Sequence, residues 1–314
     1  MKKLTLTTLI LALIFQCSYA QFSSIQDGDG ETSFQLLKTN IFAFNVTNSA
    51  IGFSIKPKSY DPDKQLRYWT INASANSKNG RANLFKSGEF QFSGKLGGFL
   101  IFDQSDANTG NIMYHFVGVE GLYSRHNVFD STKLFSDQIF IQTNLGFRIN
   151  YGWNFQNVKF NNPILGSLLG AFTSGISISG GIKDNTDIIS SEEVITSART
   201  FTNNTTIRTI SSTDNAYDIN QITKNDLFAR INFDFAKHIF NNRVLLNLHF
   251  TYAFDQNFQP VVNPAFGIFI TKDGAPLEAV VGLQLQTQDW GNNRGSKKNR
   301  WERTAIVLTA GFPF

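Results

Sequence analysis

The chain has 314 residues, is 41% hydrophobic and 17% charged, carries a formal charge of +4 and has a mean hydropathy of -0.16. Two of those positive charges are Lys2 and Lys3, and so small an excess gives no basis for nucleic-acid binding or for steering acidic ligands. The more telling figures are 31 phenylalanines against 7 prolines, because aromatic residues favour strands and interfacial belts.

At the start, Met1-Lys2-Lys3 is a basic segment, 4–15 is apolar apart from three threonines, and Ser18-Tyr19-Ala20 offers a small-x-small cleavage site before Gln21. That pattern predicts a secretory signal peptide over 1–20, whose apolar part is too short for the ~20 residues of a spanning helix. Cys17 follows Ile14-Phe15-Gln16 without the small residue a lipoprotein signal wants. Cleavage after Ala20 removes the single cysteine, which excludes disulfides and cysteine-ligated metal from the remainder. Residues 21–40 are read as an N-terminal lead-in, with an extra strand at 33–39 as the alternative.

From there the sequence alternates. Strands are expected at 41–48, 50–56, 67–77, 89–103, 112–125, 139–154, 169–182, 227–235, 244–255, 264–271, 278–289 and 303–314. The clearest is 139–154, where Ile139, Ile141, Leu145, Phe147, Ile149, Tyr151 and Trp153 oppose Gln142, Asn144, Arg148, Asn150 and Asn154. One side of such a strand suits hydrocarbon and the other water. A soluble sandwich alternates too, but its strands average about five or six residues. Asn241-Asn242 between two such runs is a hairpin signal. The Ser/Thr/Asn-rich stretch 183–225 is expected to be a disordered or extended loop, with a fold into the mouth as the alternative.

The last segment alternates to its end: Ile306, Leu308, Ala310, Phe312 and Phe314 form one apolar stripe. With the signal segment and the strand rhythm, this terminus resembles the Gram-negative outer-membrane β-barrel proteins. The resemblance implies an all-β, single-domain antiparallel transmembrane barrel of about twelve strands over 41–314, with that stripe as the signal read by the barrel-assembly machinery. Counting back from the terminal strand, the outer loops should be 290–302, 256–263, 183–225, 127–136 and 78–87. The periplasmic turns should be 272–277, 240–243, 155–168, 104–111 and 57–66, of which 155–168 is too long for a turn. Trp290 and Trp301 would belong to an outer aromatic girdle, and Tyr151, Trp153, Phe312 and Phe314 to a periplasmic one.

Charges facing the lumen are the residues whose desolvation must be offset, and the candidates are Lys95, Glu120, Arg148, Arg230, Asp234, Asp255 and Glu278. Their near balance of sign fits a salt-bridged interior or a small hydrated pore. The basic cluster Arg294, Lys297, Lys298 and Arg300 is a candidate contact for lipopolysaccharide phosphates, against a plain solvated loop. His249-Phe250-Thr251 puts an imidazole and a hydroxyl on one face, the sharper hydrolytic alternative, but no nucleophile motif or zinc-ligand spacing supports it. Of the other histidines, His115 is expected near an interface and His126 and His238 near strand ends. The glycine runs 94–98 and 175–181 lie within strands and do not suit phosphate cradles. The expectation is a non-enzymatic outer-membrane barrel without catalytic residues, cofactor or metal, passing a small solute, with lipid, lipopolysaccharide and the assembly machinery as its partners. The alternatives are a structural or accessory barrel of a secretion or surface-assembly complex, a barrel hydrolase, and a secreted soluble sandwich.

Overall fold

Period-two alternation lets a strand present chemically different faces, and a run of such strands pairs edge to edge because every backbone donor and acceptor needs a partner. The computed structural model describes residues 41–45, 50–55, 67–76, 93–104, 112–159, 171–203, 206–240, 243–272, 275–296 and 298–311. They form β1 (Ile41–Asn45), β2 (Ala50–Ile55), β3 (Arg67–Asn76), β4 (Ser93–Asp103), β5 (Ile112–Phe129), β6 (Ile139–Lys159) and β7 (Ala171–Lys183). The second half supplies β8 (Glu192–Asn203), β9 (Thr206–Asp218), β10 (Asp226–Ile239), β11 (Val244–Asp255), β12 (Phe258–Lys272), β13 (Ala275–Thr287) and β14 (Thr304–Gly311).

The fold is all-β, one antiparallel-dominated sheet of fourteen strands in the order β4-β3-β2-β1-β14-β13-β12-β11-β10-β7-β6-β5-β9-β8, and β4 pairs with β5 as well. The first strand lies against the last, Ile41 opposite Gly311 and Asn45 opposite Val307. Each of the twelve expected strands coincides with one of these. The other two, β8 and β9, arise from 183–225, which is not a disordered loop but an antiparallel hairpin with Glu192 opposite Ala216 and Asn203 opposite Thr206. A short parallel contact, Val128 with Tyr217 and Phe129 with Asp218, ties it to β5.

A second correction concerns 256–263. Counting back from the terminal strand places an eight-residue loop there, yet β12 begins at Phe258 after the turn Gln256-Asn257 and includes Pro260 and Pro264. Its ladder with β13 starts only at Ala265, so both prolines lie where β12 has β11 as its one paired neighbour, an edge that tolerates them. On 155–168 the outcome is partial: β6 continues to Lys159 and the remainder lies outside the described residues. The strand alternative at 33–39 also lies outside them.

The two faces of the sheet are inverted relative to a water-soluble protein. Arg148, Asn150 and Asn154 on β6, Arg230, Asn232 and Asp234 on β10, and Asn247, His249 and Thr251 on β11 are buried. Alternating with them, Phe147, Ile149 and Tyr151, then Ile231 and Phe233, then Leu248, Phe250 and Tyr252 are exposed. On β14, Ile306 and Leu308 are exposed and Ala305 and Val307 buried. One rim is marked by Asp103, Ile239 and Lys272, where β4, β10 and β12 end, and is the turn rim; the opposite, loop rim is marked by Phe129, Lys183 and Thr287, where β5, β7 and β13 end. Near the turn rim the exposed face bears a row of rings, with Phe102 stacked on His115 at 4.9 Å, His115 6.2 Å from Tyr151 and Tyr151 edge-on to Trp153 at 4.4 Å.

The buried face is apolar at the same height. Phe99, Ile101, Tyr114 and Phe116 form a cluster in which the rings of Phe99 and Phe116 meet edge to face at 6.1 Å. Phe99 can lie flat on the wall because the neighbouring position across the ladder is Gly118, where a Cβ would overlap the ring. Gly118→Ala should therefore lower stability by roughly 1–3 kcal/mol through overpacking, whereas Gly121→Ala, whose Cβ would come no closer than 3.8 Å to another atom, should change it little. Denaturant midpoints of the two variants, measured under the same conditions, give the difference.

Candidate functional site

The register of neighbouring strands decides which buried polar side chains meet. Glu120 on β5 stands directly opposite Arg148 on β6, and the guanidinium bridges to Glu120 Oε2 through both Nε and Nη2. Asn150 Nδ2 donates to the same oxygen at 2.8 Å. The pair is 4% exposed at each residue, and Gly97 on β4 leaves the space that the Glu120 side chain fills. Two of the sequence-derived candidates are thus one neutralised unit.

A second unit crosses β10 and β11. Asp234 faces His249, Asp234 Oδ1 accepting from Nδ1 at 2.9 Å, while His249 Nε2 lies 2.9 Å from Thr251 Oγ1. Thr251 in turn donates to Asn232 Oδ1 at 2.7 Å, Asn232 Nδ2 donates to Ser177 Oγ at 3.2 Å, and Asn247 Nδ2 donates to Asp234 at 3.2 Å. The sequence pairs His249 with Thr251, and the geometry adds the carboxylate that would complete an acid, imidazole and hydroxyl series. Yet all three residues are at most 1% exposed and the hydroxyl hydrogen is committed to Asn232. The arrangement is a buried hydrogen-bonded network that joins β7, β10 and β11.

Asp255, at the loop rim, is the third centre. Arg230 Nη2 reaches its Oδ1 at 2.9 Å, Lys183 Nζ the same oxygen at 3.3 Å, and Arg294 Nη2 its Oδ2 at 2.6 Å. Lys183 also pairs with Asp187. One buried carboxylate therefore joins β10, β11, the end of β7 and the connection 288–303. Beside it the base of the β8–β9 excursion is seated on the buried face. Asp184 accepts from Ser124 and, at 3.0 Å, from Asn144 Nδ2. Asn185 is linked to Gln221 O at 2.8 Å and receives Thr223 N at 2.9 Å, and Tyr217 lies edge-on to His126 at 5.3 Å. Burial, with Asp187 and Asp184 nearby, pushes the Tyr217 phenol up to about 12, so it stays neutral. In 130–138 the opposite shift occurs: hydrogen bonds from the Thr132 hydroxyl and amide hold the Asp130 carboxyl below its usual range.

The remaining candidates fall elsewhere. Lys95 on β4 is half-buried, opposite Ser74 and Leu122. Ala310 pairs with Phe42 and Val281. The side chains of Glu278 and His238 lie outside the described residues, as do Lys297, Phe312 and Phe314. Arg294 is turned inward to Asp255, while Lys298 and Arg300 are exposed. Sequence reasoning missed Lys183, Ser124, Asn144 and Asp184, because they meet only when 184–189 folds onto the sheet. Among the described residues no group of His, Cys, Asp and Glu could hold a metal ion. No protein-family model, curated protein or solved structure matches the chain.

Arg148→Met should cost roughly 3–5 kcal/mol by leaving Glu120 buried without its partner, and Glu120→Gln in the same chain should recover most of that; denaturant titration of the wild type and the two variants decides it. Asp184→Ala removes hydrogen bonds to a charged group, about 1.5–3 kcal/mol each. It should raise the rate of trypsin cleavage at Lys183, Arg199 and Arg208 by about tenfold or more, read by mass spectrometry of the released fragments.

Proposed function

We propose that this protein is an integral outer-membrane β-barrel, exported by a cleavable signal peptide, that acts as a membrane-anchored scaffold displaying the connections at its loop rim. The observation that carries the reading is the inverted polarity of the sheet. Soluble monomers rarely expose apolar patches beyond a few hundred Å², whereas here the exposed face of strand after strand is Leu, Ile, Val, Phe and Tyr. In lipid that face is the favourable one, provided no strand edge is left open. In support, β1 pairs with β14 and β4 with β5, so that each of β1–β7 and β10–β14 has a neighbour on both edges. The ring row Phe102, His115, Tyr151 and Trp153 at one rim and Trp290 and Trp301 at the other fit two interfacial girdles.

A scaffold is favoured over a channel by the contents of the buried face. The apolar cluster around Phe99 and Phe116, the Glu120 and Asp234 units and the hydrogen bonds of Asp184 commit side chains of the buried face to one another. Passage of a small solute is the second reading, favoured by the charges Lys183, Arg230, Asp255 and Arg294 gathered at one rim.

The purified protein should resist extraction by carbonate, require detergent, and migrate faster in unboiled than in boiled electrophoresis samples. In planar bilayers it should give no sustained conductance steps. Release by carbonate would overturn the membrane assignment, and a stable open conductance would replace the scaffold by a pore.

A further inference from the structure

The connection 288–303 between β13 and β14 is held in one shape from within. Asp289 accepts from Asn293 N at 2.8 Å and Arg294 N at 2.9 Å, and its own amide donates to Asn263 Oδ1 at 2.7 Å. Trp290 N donates to Val262 O at 2.9 Å, Asn293 Nδ2 to Pro260 O at 2.8 Å, and Arg303 to the carbonyls of Gln288 and Asp289. Glu302 takes the Asn299 amide at 2.7 Å and gives its own to Asn299 Oδ1 at 3.0 Å. Among the outward residues of the loop, beside Asn292, Asn299 and Glu302, are two cations and two indoles. Lys298 and Arg300 are exposed, Arg300 sits 4.1 Å over the Trp290 ring, Trp290 is half exposed, and Trp301 is 82% exposed. Next along the exposed face come Leu285 opposite Ile306 and Leu283 opposite Leu308, all exposed.

We propose that Lys298 and Arg300, between Trp290 and Trp301, bind the phosphate groups of outer-leaflet lipid, specifically those on the lipid A part of lipopolysaccharide. The inference rests on the membrane reading above and adds a ligand to it. Two indoles at the upper end of an apolar stripe mark the depth at which headgroups begin. Stacking spends the face of a guanidinium and leaves its in-plane N–H groups for a bidentate phosphate contact, while Lys298 adds a point charge. Continuity of the basic pair with the apolar stripe selects a lipid-borne phosphate over a free one, because acyl chains attached to the same molecule cover Leu285 and Ile306. Arg294 takes no part: its guanidinium is bound to Asp255 at 2.6 Å and to Gln259 O at 3.3 Å. Arg303 is likewise occupied.

The test is a tryptophan-fluorescence titration of the full mature protein, folded in a non-ionic detergent, with diphosphorylated lipid A, dephosphorylated lipid A and inorganic phosphate. Diphosphorylated lipid A should bind at least about tenfold more tightly than the dephosphorylated form, and Lys298→Ser with Arg300→Ser should abolish that preference, each cation near a charged headgroup layer being worth about fivefold. The double variant should keep the wild-type gel shift on heating, which shows that it is folded, and Arg300→Lys should restore part of the preference. Equal binding of the two lipids, an unchanged preference in the double variant, or inorganic phosphate competing at the same concentration as lipid A overturns the proposal. Loss of the membrane reading shows separately, as release of the protein by carbonate.

Discussion

Under the membrane reading proposed above, the constraint on which the rest depends is that a sheet with an apolar exposed face has nowhere to leave a backbone donor or acceptor unmet. In water an unpaired edge is solvated; beside hydrocarbon it would cost several kcal/mol per group. The pairings of β1 with β14 and of β4 with β5 fit that constraint. So does the length of β5 and β6, far above the five or six residues typical of globular sheets. Once the edges are met by backbone, side chains are free to specialise by face, and the hydrogen-bonding ones collect where they can satisfy one another.

Register then turns that collection into defined units. Glu120 meets Arg148 and Asp234 meets His249 because each pair is directly opposite across a ladder, where side chains come within about 4.5–5.5 Å. A slip of one strand by one residue would carry its partner of the pair to the exposed face, so these ionic contacts specify alignment as well as adding stability. Asp255 on β11 does corresponding work among several elements, since Lys183 comes to it from the end of β7, Arg230 from β10 and Arg294 from the connection 288–303. The charged residues of the buried face are thus held by one another rather than left single.

Much of this was legible in the sequence, and the reason is the period. Val244 to Asp255 alternates without interruption and forms β11 at those limits. Glu120, Arg148, Arg230, Asp234 and Asp255 were recognisable as inward charges from their parity alone, and all are buried. What the sequence hid were features without an apolar stripe. The β8–β9 hairpin has water on both faces, so its Thr and Ser side chains carry no alternation; Thr196 bonds to Ser212 O at 3.1 Å, and Thr213 to Glu193. Its β-branched content, with Val194, Ile195, Thr196, Ile207, Thr209 and Ile210 on either side of Asn203-Asn204, was the available signal. The inward turn of Arg294 was equally hidden, because it depends on Asp255, 39 residues away in the chain.

The seating of 184–189 has a consequence for how the molecule is assembled. Asp184 can dock only after Ser124 on β5 and Asn144 on β6 have been brought beside β7, and Lys183 can reach Asp255 only after β10 and β11 have joined. These contacts close long stretches of chain with few bonds, so their entropy cost is recovered last. Those contacts between distant segments can therefore form only once the ladders that carry their partners are in place.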